Sequence, residues 1–125
     1  MKRIFLIFTL GFLVPALCYA VPAAFMSGFE DLPLMDGLKQ AEEEAVSFDA
    51  PSGRIIEAYA QSNRIEKQKI MNFYDKTLPQ LGWKRLPAKN GSSFSYEREG
   101  ETLTISVDDG TPVSVRFELM TRERE

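Results

Sequence analysis

The stretch from Asn63 to Trp83, NRIEKQKIMNFYDKTLPQLGW, constrains the fold more than any other. Ile70, Phe73, Tyr74, Thr77, Leu78 and Leu81 recur at helical spacing and form one broad apolar stripe that has to be covered. Asn63 is placed to cap the first turn with Glu66 reaching back to it, and Gly82 to end the helix in the left-handed conformation. Pro79 removes a hydrogen bond from the last turn and disfavours helix at Leu78, which predicts a kink or a tight final turn. The expectation is one amphipathic helix, residues 64 to 81, lying on a sheet.

The sheet is written on both sides of it. Val46 and Phe48 alternate with polar neighbours, Pro51-Ser52-Gly53 supplies turn chemistry, and Ile55 to Ala60 has strand character, which makes a hairpin before the helix. A three-residue loop with Gly53 at positive φ would set Phe48 opposite Ile56 and Val46 opposite Ala58, with Tyr59 on the other face. A one-residue slip would bury Ile55 and Tyr59 instead, and the sequence leaves that choice open. Four strands are expected after the helix: Trp83 to Leu86, Ser93 to Arg98, Thr102 to Asp108 and Val113 to Met120. A two-residue Glu99-Gly100 turn sets Arg98 opposite Glu101, Tyr96 opposite Leu103 and Phe94 opposite Ile105, all apolar residues on one face. A three-residue loop at Asp109-Gly110-Thr111 would pair Val107 with Val113, Ile105 with Val115 and Leu103 with Phe117. An Asn90-Gly91 turn places Trp83 opposite Arg98, as a cation–π pair. Ser95, Glu97, Thr102, Thr104, Ser106, Ser114, Arg116 and Glu118 fall on the other, wet side. The fold class is therefore α+β, an antiparallel sheet in the order ββαββββ with one helix packed on one face.

The amino terminus reads as an export signal. Met1-Lys2-Arg3, the apolar run Ile4 to Leu17 and then Cys18-Tyr19-Ala20 have its three-part build, with cleavage expected after Ala20. The apolar character continues through Val21 to Met26, so the alternative is an uncleaved membrane anchor interrupted by Gly11, Pro15 and Pro22. Lipidation at Cys18 is disfavoured because Leu17 stands where a small residue is wanted. Residues 21 to 44 form an acidic, partly flexible lead that carries Glu30, Asp31, Asp36 and Glu42 to Glu44 against Lys39 alone. The solvated run Glu42 to Glu44 is its end. Within it Leu32, Leu34, Met35, Leu38 and Ala41 suit a short amphipathic turn of helix from Asp31. Either it straps onto its own domain, or it offers Leu32, Leu34, Met35 and Leu38 to a partner protein as apolar anchors. The α+β domain is expected over 45 to 121, with a charged tail at 122 to 125.

Composition excludes more chemistry than it supplies. There is no histidine, which rules out a Ser-His-Asp or Cys-His centre, a His-bearing zinc site and an imidazole switch. The one cysteine, Cys18, lies in the signal, so a cleaved chain forms no disulfide and is held by its core alone. Without residues 1 to 20 the chain has 13 basic and 18 acidic side chains, a net charge of −5, which argues against nucleic acid or an anionic membrane surface as partner. The remaining chemistry is carboxylate: Asp108-Asp109 beside Glu97, Glu99 and Glu101, with no EF-hand or zinc spacing. Acidic residues beside turn glycines commonly serve the backbone, so no catalytic, metal-binding or cofactor-binding residue is assigned.

The blocks FDAPSGRIIEAYAQS, FYDKTLPQLGW and YEREGETLTISV, following the acidic leucine-containing lead, resemble a group of small exported alphaproteobacterial proteins with no assigned activity. The likeness spans Phe29 to Leu119. It implies export and these domain boundaries, and no catalytic residue. The function expected is thus a non-enzymatic exported protein of the periplasm or cell envelope that binds another envelope protein or an apolar ligand. The alternatives are an inner-membrane-anchored structural subunit, which touches the membrane only if the amino-terminal segment is uncleaved, and an enzyme built on carboxylates.

Overall fold

The computed structural model describes residues 24–41, 45–51, 53–88, 91 and 93–122. The expectations for the signal, for cleavage after Ala20, for Glu42 to Glu44 and for residues 123–125 fall outside them. Among the described residues seven strands, β1 (Lys39–Gln40), β2 (Val46–Ala50), β3 (Gly53–Ser62), β4 (Lys84–Arg85), β5 (Ser93–Arg98), β6 (Glu101–Asp108) and β7 (Val113–Arg122), make one antiparallel sheet, and one helix, α1 (Lys67–Gln80), packs on it. The order across the sheet is β1-β3-β7-β6-β5-β4, with β2 joining β1 along the same side of β3. The α+β class holds. The sheet gains β1 from the lead, and β7 runs on through Arg122.

Registers decide which residues become core. The Glu99-Gly100 turn has both residues at positive φ (48° and 82°), the conformation that matches strand twist in a two-residue hairpin, and β5 pairs β6 as expected: Arg98 with Glu101, Tyr96 with Leu103, Phe94 with Ile105. β4 pairs β5 with Lys84 opposite Glu97, the register that sets Trp83 against Arg98. Between β6 and β7 the connection is longer than expected, Asp109 to Pro112, and the pairs are Val107 with Val115, Ile105 with Phe117 and Leu103 with Leu119. The shift is two residues, an even number, so every side chain keeps its face.

The first hairpin is the correction with consequences. Ala50 pairs with Gly53, leaving two residues in the turn, so Phe48 lies opposite Ile55 and Val46 opposite Glu57. On β3 the core face holds Ile56, Ala58 and Ala60, as expected, and Ala58 and Ala60 are buried. The odd slip, however, turns Val46 and Phe48 to the opposite face, where both are exposed.

The helix buries Ile70, Tyr74 and Leu78, one residue per turn, against Leu103, Ile105, Val115 and Phe117 of the sheet. It starts later than Asn63. The Ser62 hydroxyl accepts the N–H groups of Arg64 and Ile65 in a local turn, and Glu66 stands at the cap position with no side-chain cap bond. At the other end Gly82, at φ +90°, lets Trp83 N–H reach the Leu78 carbonyl and its own N–H reach that of Pro79, so the helix ends at Gln80 with Leu81 at its cap position. Leu81 is thereby left 38% exposed, outside the expected stripe. Phe73 is half-buried, its ring edge-on to Tyr74 at 4.9 Å.

The helix does not roof the sheet alone. Residues 24–38 cross the same face beside it without forming the expected amphipathic turn of helix, and bury Met26, Leu32 and Leu38 in the common core. Phe25 bridges Pro33, and Met26 N–H bonds to the Leu32 carbonyl at 2.8 Å, which folds this strap onto itself. The phenol of Tyr74 bolts it to the helix, donating to the Pro33 carbonyl (2.9 Å) and accepting from Met35 N–H (3.2 Å). That burial pushes the Tyr74 phenol well above its ordinary pKa.

Candidate functional site

The leucines expected to be offered to a partner are the inner surface of the strap. Leu32 (3% exposed) and Leu38 are buried, and Leu34 and Met35 pack against the same core. Covering the sheet edge beside α1 removes more apolar surface from water than an extended peptide could keep exposed, so the strap's apolar residues turn inward. These four are not free anchors in this fold.

Midway along the strap, Arg98 organises a polar clamp. Its guanidinium donates to both oxygens of Asp31 (2.7 and 3.0 Å) and to the Leu81 carbonyl (2.9 Å), and lies 4.2 Å from the Trp83 ring centroid, the cation–π pair expected from the register. A cavity of about 160 Å³ adjoins it, bordered by Gly28, Phe29, Ile56, Leu103 and Leu119. That is below the roughly 300–1,000 Å³ of a small-molecule site; the two terminal nitrogens of Arg98 are engaged by the strap and the helix end, while its Nε and the Trp83 Nε1 are buried without a hydrogen-bond partner among the described residues. The clamp joins strap, helix terminus and β5.

The Arg98 hydrogen bond holds the Asp31 carboxyl below the ordinary 3.8, against a smaller opposing effect of burial. A depressed folded-state pKa contributes stability above the unfolded value and loses it as pH falls through the folded one. The expected result is that Asp31→Asn costs about 1 kcal/mol near neutral pH, because the half-exposed pair is screened, and that the gap to wild type closes in acid below the usual carboxylate range. Denaturant melts of both proteins from about pH 7 to about pH 2 measure it, and a gap that stays constant into acid would contradict the pair's role.

The candidate carboxylates fall into two groups. Glu97, Glu99 and Glu101 border an open depression of about 500 Å³ with Lys84 and Leu86, whereas Asp108 and Asp109 border another of about 610 Å³ with Tyr59 and Lys67. The two groups lie toward opposite ends of β6, roughly 20 Å apart at strand rise. Glu101 is engaged by the Thr121 hydroxyl, and no group of three metal-ligating side chains occurs among the described residues.

The remaining surface of note is the sheet face away from the helix. Over β5, β6 and β7 it is polar as expected, with Ser95 against Thr104 (3.0 Å) and Arg116 donating to Glu57 and Glu118 (both 2.7 Å). That guanidinium holds the Glu57 carboxyl below its ordinary range. At the β2 side the character changes. Phe48, Ile55 and Met120 stand in one row across β2, β3 and β7, with Val46 beside them. Phe48 is 47% exposed, Val46 45% and Met120 38%.

Among the described residues, nothing pairs with the outer edge of β2, which this corner borders. The Tyr59 carbonyl accepts Ala41 N–H at 2.8 Å, so the odd-numbered residues of β3 direct their backbone bonds toward β1 and β2. Val46, Phe48 and Ala50 therefore bond inward, and the N–H and C=O groups of Ser47 and Asp49 point off the sheet. Neither proline nor lysine, the usual guards of an edge, occurs in β2, whereas the opposite edge, β4, is two basic residues long. The Ile55-Ile56 doublet was the sequence signal for this surface, since two adjacent isoleucines give β3 an apolar residue on each face. Comparison of the chain with family models, with curated proteins and with solved structures returns no match.

Proposed function

We propose that the protein is a non-enzymatic, exported envelope protein that docks another protein molecule by strand addition along β2, with Phe48 as the central anchor. The observation that carries this reading is the coincidence, on one edge, of outward-directed backbone groups at Ser47 and Asp49, which pair with no strand among the described residues, with exposed Val46 and Phe48. Main-chain hydrogen bonds then supply affinity, and the apolar corner supplies selectivity. Residues 1 to 20 support export, and they suit either a cleaved signal or a retained anchor that would hold the same docking domain at the inner membrane. The likeness to small exported alphaproteobacterial proteins supports the same placement. The lack of histidine, and the openness of the two depressions that the carboxylates border, favour binding over catalysis.

A photo-crosslinking residue at position 48 is expected to capture a protein in living cells, and the same residue at Thr104, on the polar part of the same face, to capture none. Equal yields from both positions, or none from 48, would contradict docking. The mass of the purified amino terminus separates the cleaved form from the anchored one.

A further inference from the structure

We infer that the cavity beside the Arg98 clamp is a binding site for a neutral, single-ring aromatic compound that carries a hydrogen-bond acceptor such as a carbonyl oxygen. It lies on the helix side of the sheet, away from Phe48, and is independent of the docking reading. Two rows of side chains make its floor. Ile56, Leu119 and Leu103 stand in register across β3, β7 and β6 as an apolar row, and Arg54, Thr121 and Glu101 form the polar row beside it. Phe29 and Leu32 of the strap close over these rows, and the stacked pair of Trp83 and Arg98 borders the same space.

Volume sets the size of the ligand. The cavity's 160 Å³ is too small for a drug-sized molecule, and it matches the roughly 150 Å³ at which an apolar protein cavity admits benzene. One ring laid on Ile56, Leu119 and Leu103 uses that space and directs a substituent toward the polar row. The walls set the ligand's polarity. Trp83 is only 5% exposed, and its indole Nε1 and the Arg98 Nε are buried donors with no acceptor among the described residues. A donor buried unpaired is costly, so two of them in one stacked pair favour a ligand that brings an oxygen. Both nitrogens are closed to solvent, and an entering oxygen reaches them by a shift of that pair. Net charge of either sign is disfavoured: Glu30, Asp31 and Glu101 oppose an anion, and Arg54 and Arg98 oppose a cation.

The test exploits Trp83, the single tryptophan of the chain, whose indole N–H gives one nitrogen-correlated NMR signal. The probes are acetophenone, isopropylbenzene and benzoate, which are alike in ring and size and differ in acceptor and charge. Titrated into the purified protein, acetophenone is expected to shift the indole signal and the amides of Phe29, Ile56 and Leu119, with a dissociation constant of about 0.1–1 mM. Isopropylbenzene, which leaves the donors unpaired, and benzoate, which meets the acids, are each expected to bind at least about tenfold more weakly. Leu119→Phe fills the floor of the cavity and is expected to abolish the acetophenone shifts while the rest of the amide spectrum stays in place. The comparison of probes is made on the unaltered protein, so it decides the question even where Leu119→Phe folds poorly. No shift with acetophenone up to about 10 mM, equal or tighter binding of either other probe, shifts centred on Val46 and Phe48, or binding retained by a folded Leu119→Phe would each overturn the proposal. Each of those results leaves the crosslinking test at position 48 to stand or fall by itself.

Discussion

Tyr74→Ala is expected to cost about 4 kcal/mol of stability, and more if the two polar groups it abandons stay dry. The ring is fully buried, lies edge-on to Phe73 and at 5.3 Å from Phe117, and touches helix, sheet and strap at once. Its removal leaves a cavity at the meeting point of three elements, and strands the Pro33 carbonyl and the Met35 N–H. Tyr74→Phe keeps the packing and loses only the bolt, so its cost should be about 1–2 kcal/mol. Equilibrium unfolding in denaturant separates the two contributions. If Tyr74→Phe were as damaging as Tyr74→Ala, the hydroxyl rather than the ring would be the principal tie.

Leu32→Asp should be as severe, about 4 kcal/mol or more, because it buries an unpaired charge within the strap's contact with the sheet. A domain of this size has only about 5–15 kcal/mol to lose, so much of the population unfolds. The same change at Phe48, on the open face, should move stability by no more than about 0.5 kcal/mol. The contrast distinguishes the two apolar segments: the lead leucines are core, and the β2 residues are surface. A mild Leu32→Asp with a damaging Phe48→Asp would reverse those assignments.

How far the sequence revealed this arrangement depended on what sets each register. Glu99-Gly100 is a turn of one kind only, and alternation on both flanks allows one pairing, so Phe94, Tyr96, Leu103 and Ile105 were legible residue by residue. At Asp109 to Pro112 the alternation fixed the face but not the loop length, and an even error left the core intact. At Pro51 the same uncertainty was odd. Because Ile55 and Ile56 offer an apolar partner on each face, pattern leaves both registers open, and only the structure shows Val46 and Phe48 on the surface. That one step hid the candidate interaction surface.

The strap was harder still. Met26, Leu32 and Leu38 follow neither a period of 2 nor one of 3.6, since irregular backbone lets each side chain find its own way inward. Acidic neighbours made the segment look solvent-facing, and nothing local to it announces the Tyr74 hydroxyl some forty residues away. At the helix start, Asn63 and Glu66 match the capping pattern, yet Ser62 is nearer the two free N–H groups and takes them. The expected stripe ran past the helix end to Leu81 because Gly82 marks where a helix stops, and not which side of its last turn is covered.

The strap's membership in the core can be read directly by native-state hydrogen exchange on the purified protein. Met26 and Leu34 donate to Leu32 and Ala24 within the strap, and their amides are expected to exchange only with global unfolding, at the rate of Ile105 in β6. Exchange of those two amides at loop rates while Ile105 stays protected would show a strap that opens independently, and would return Leu32 and Leu38 to the surface as free anchors.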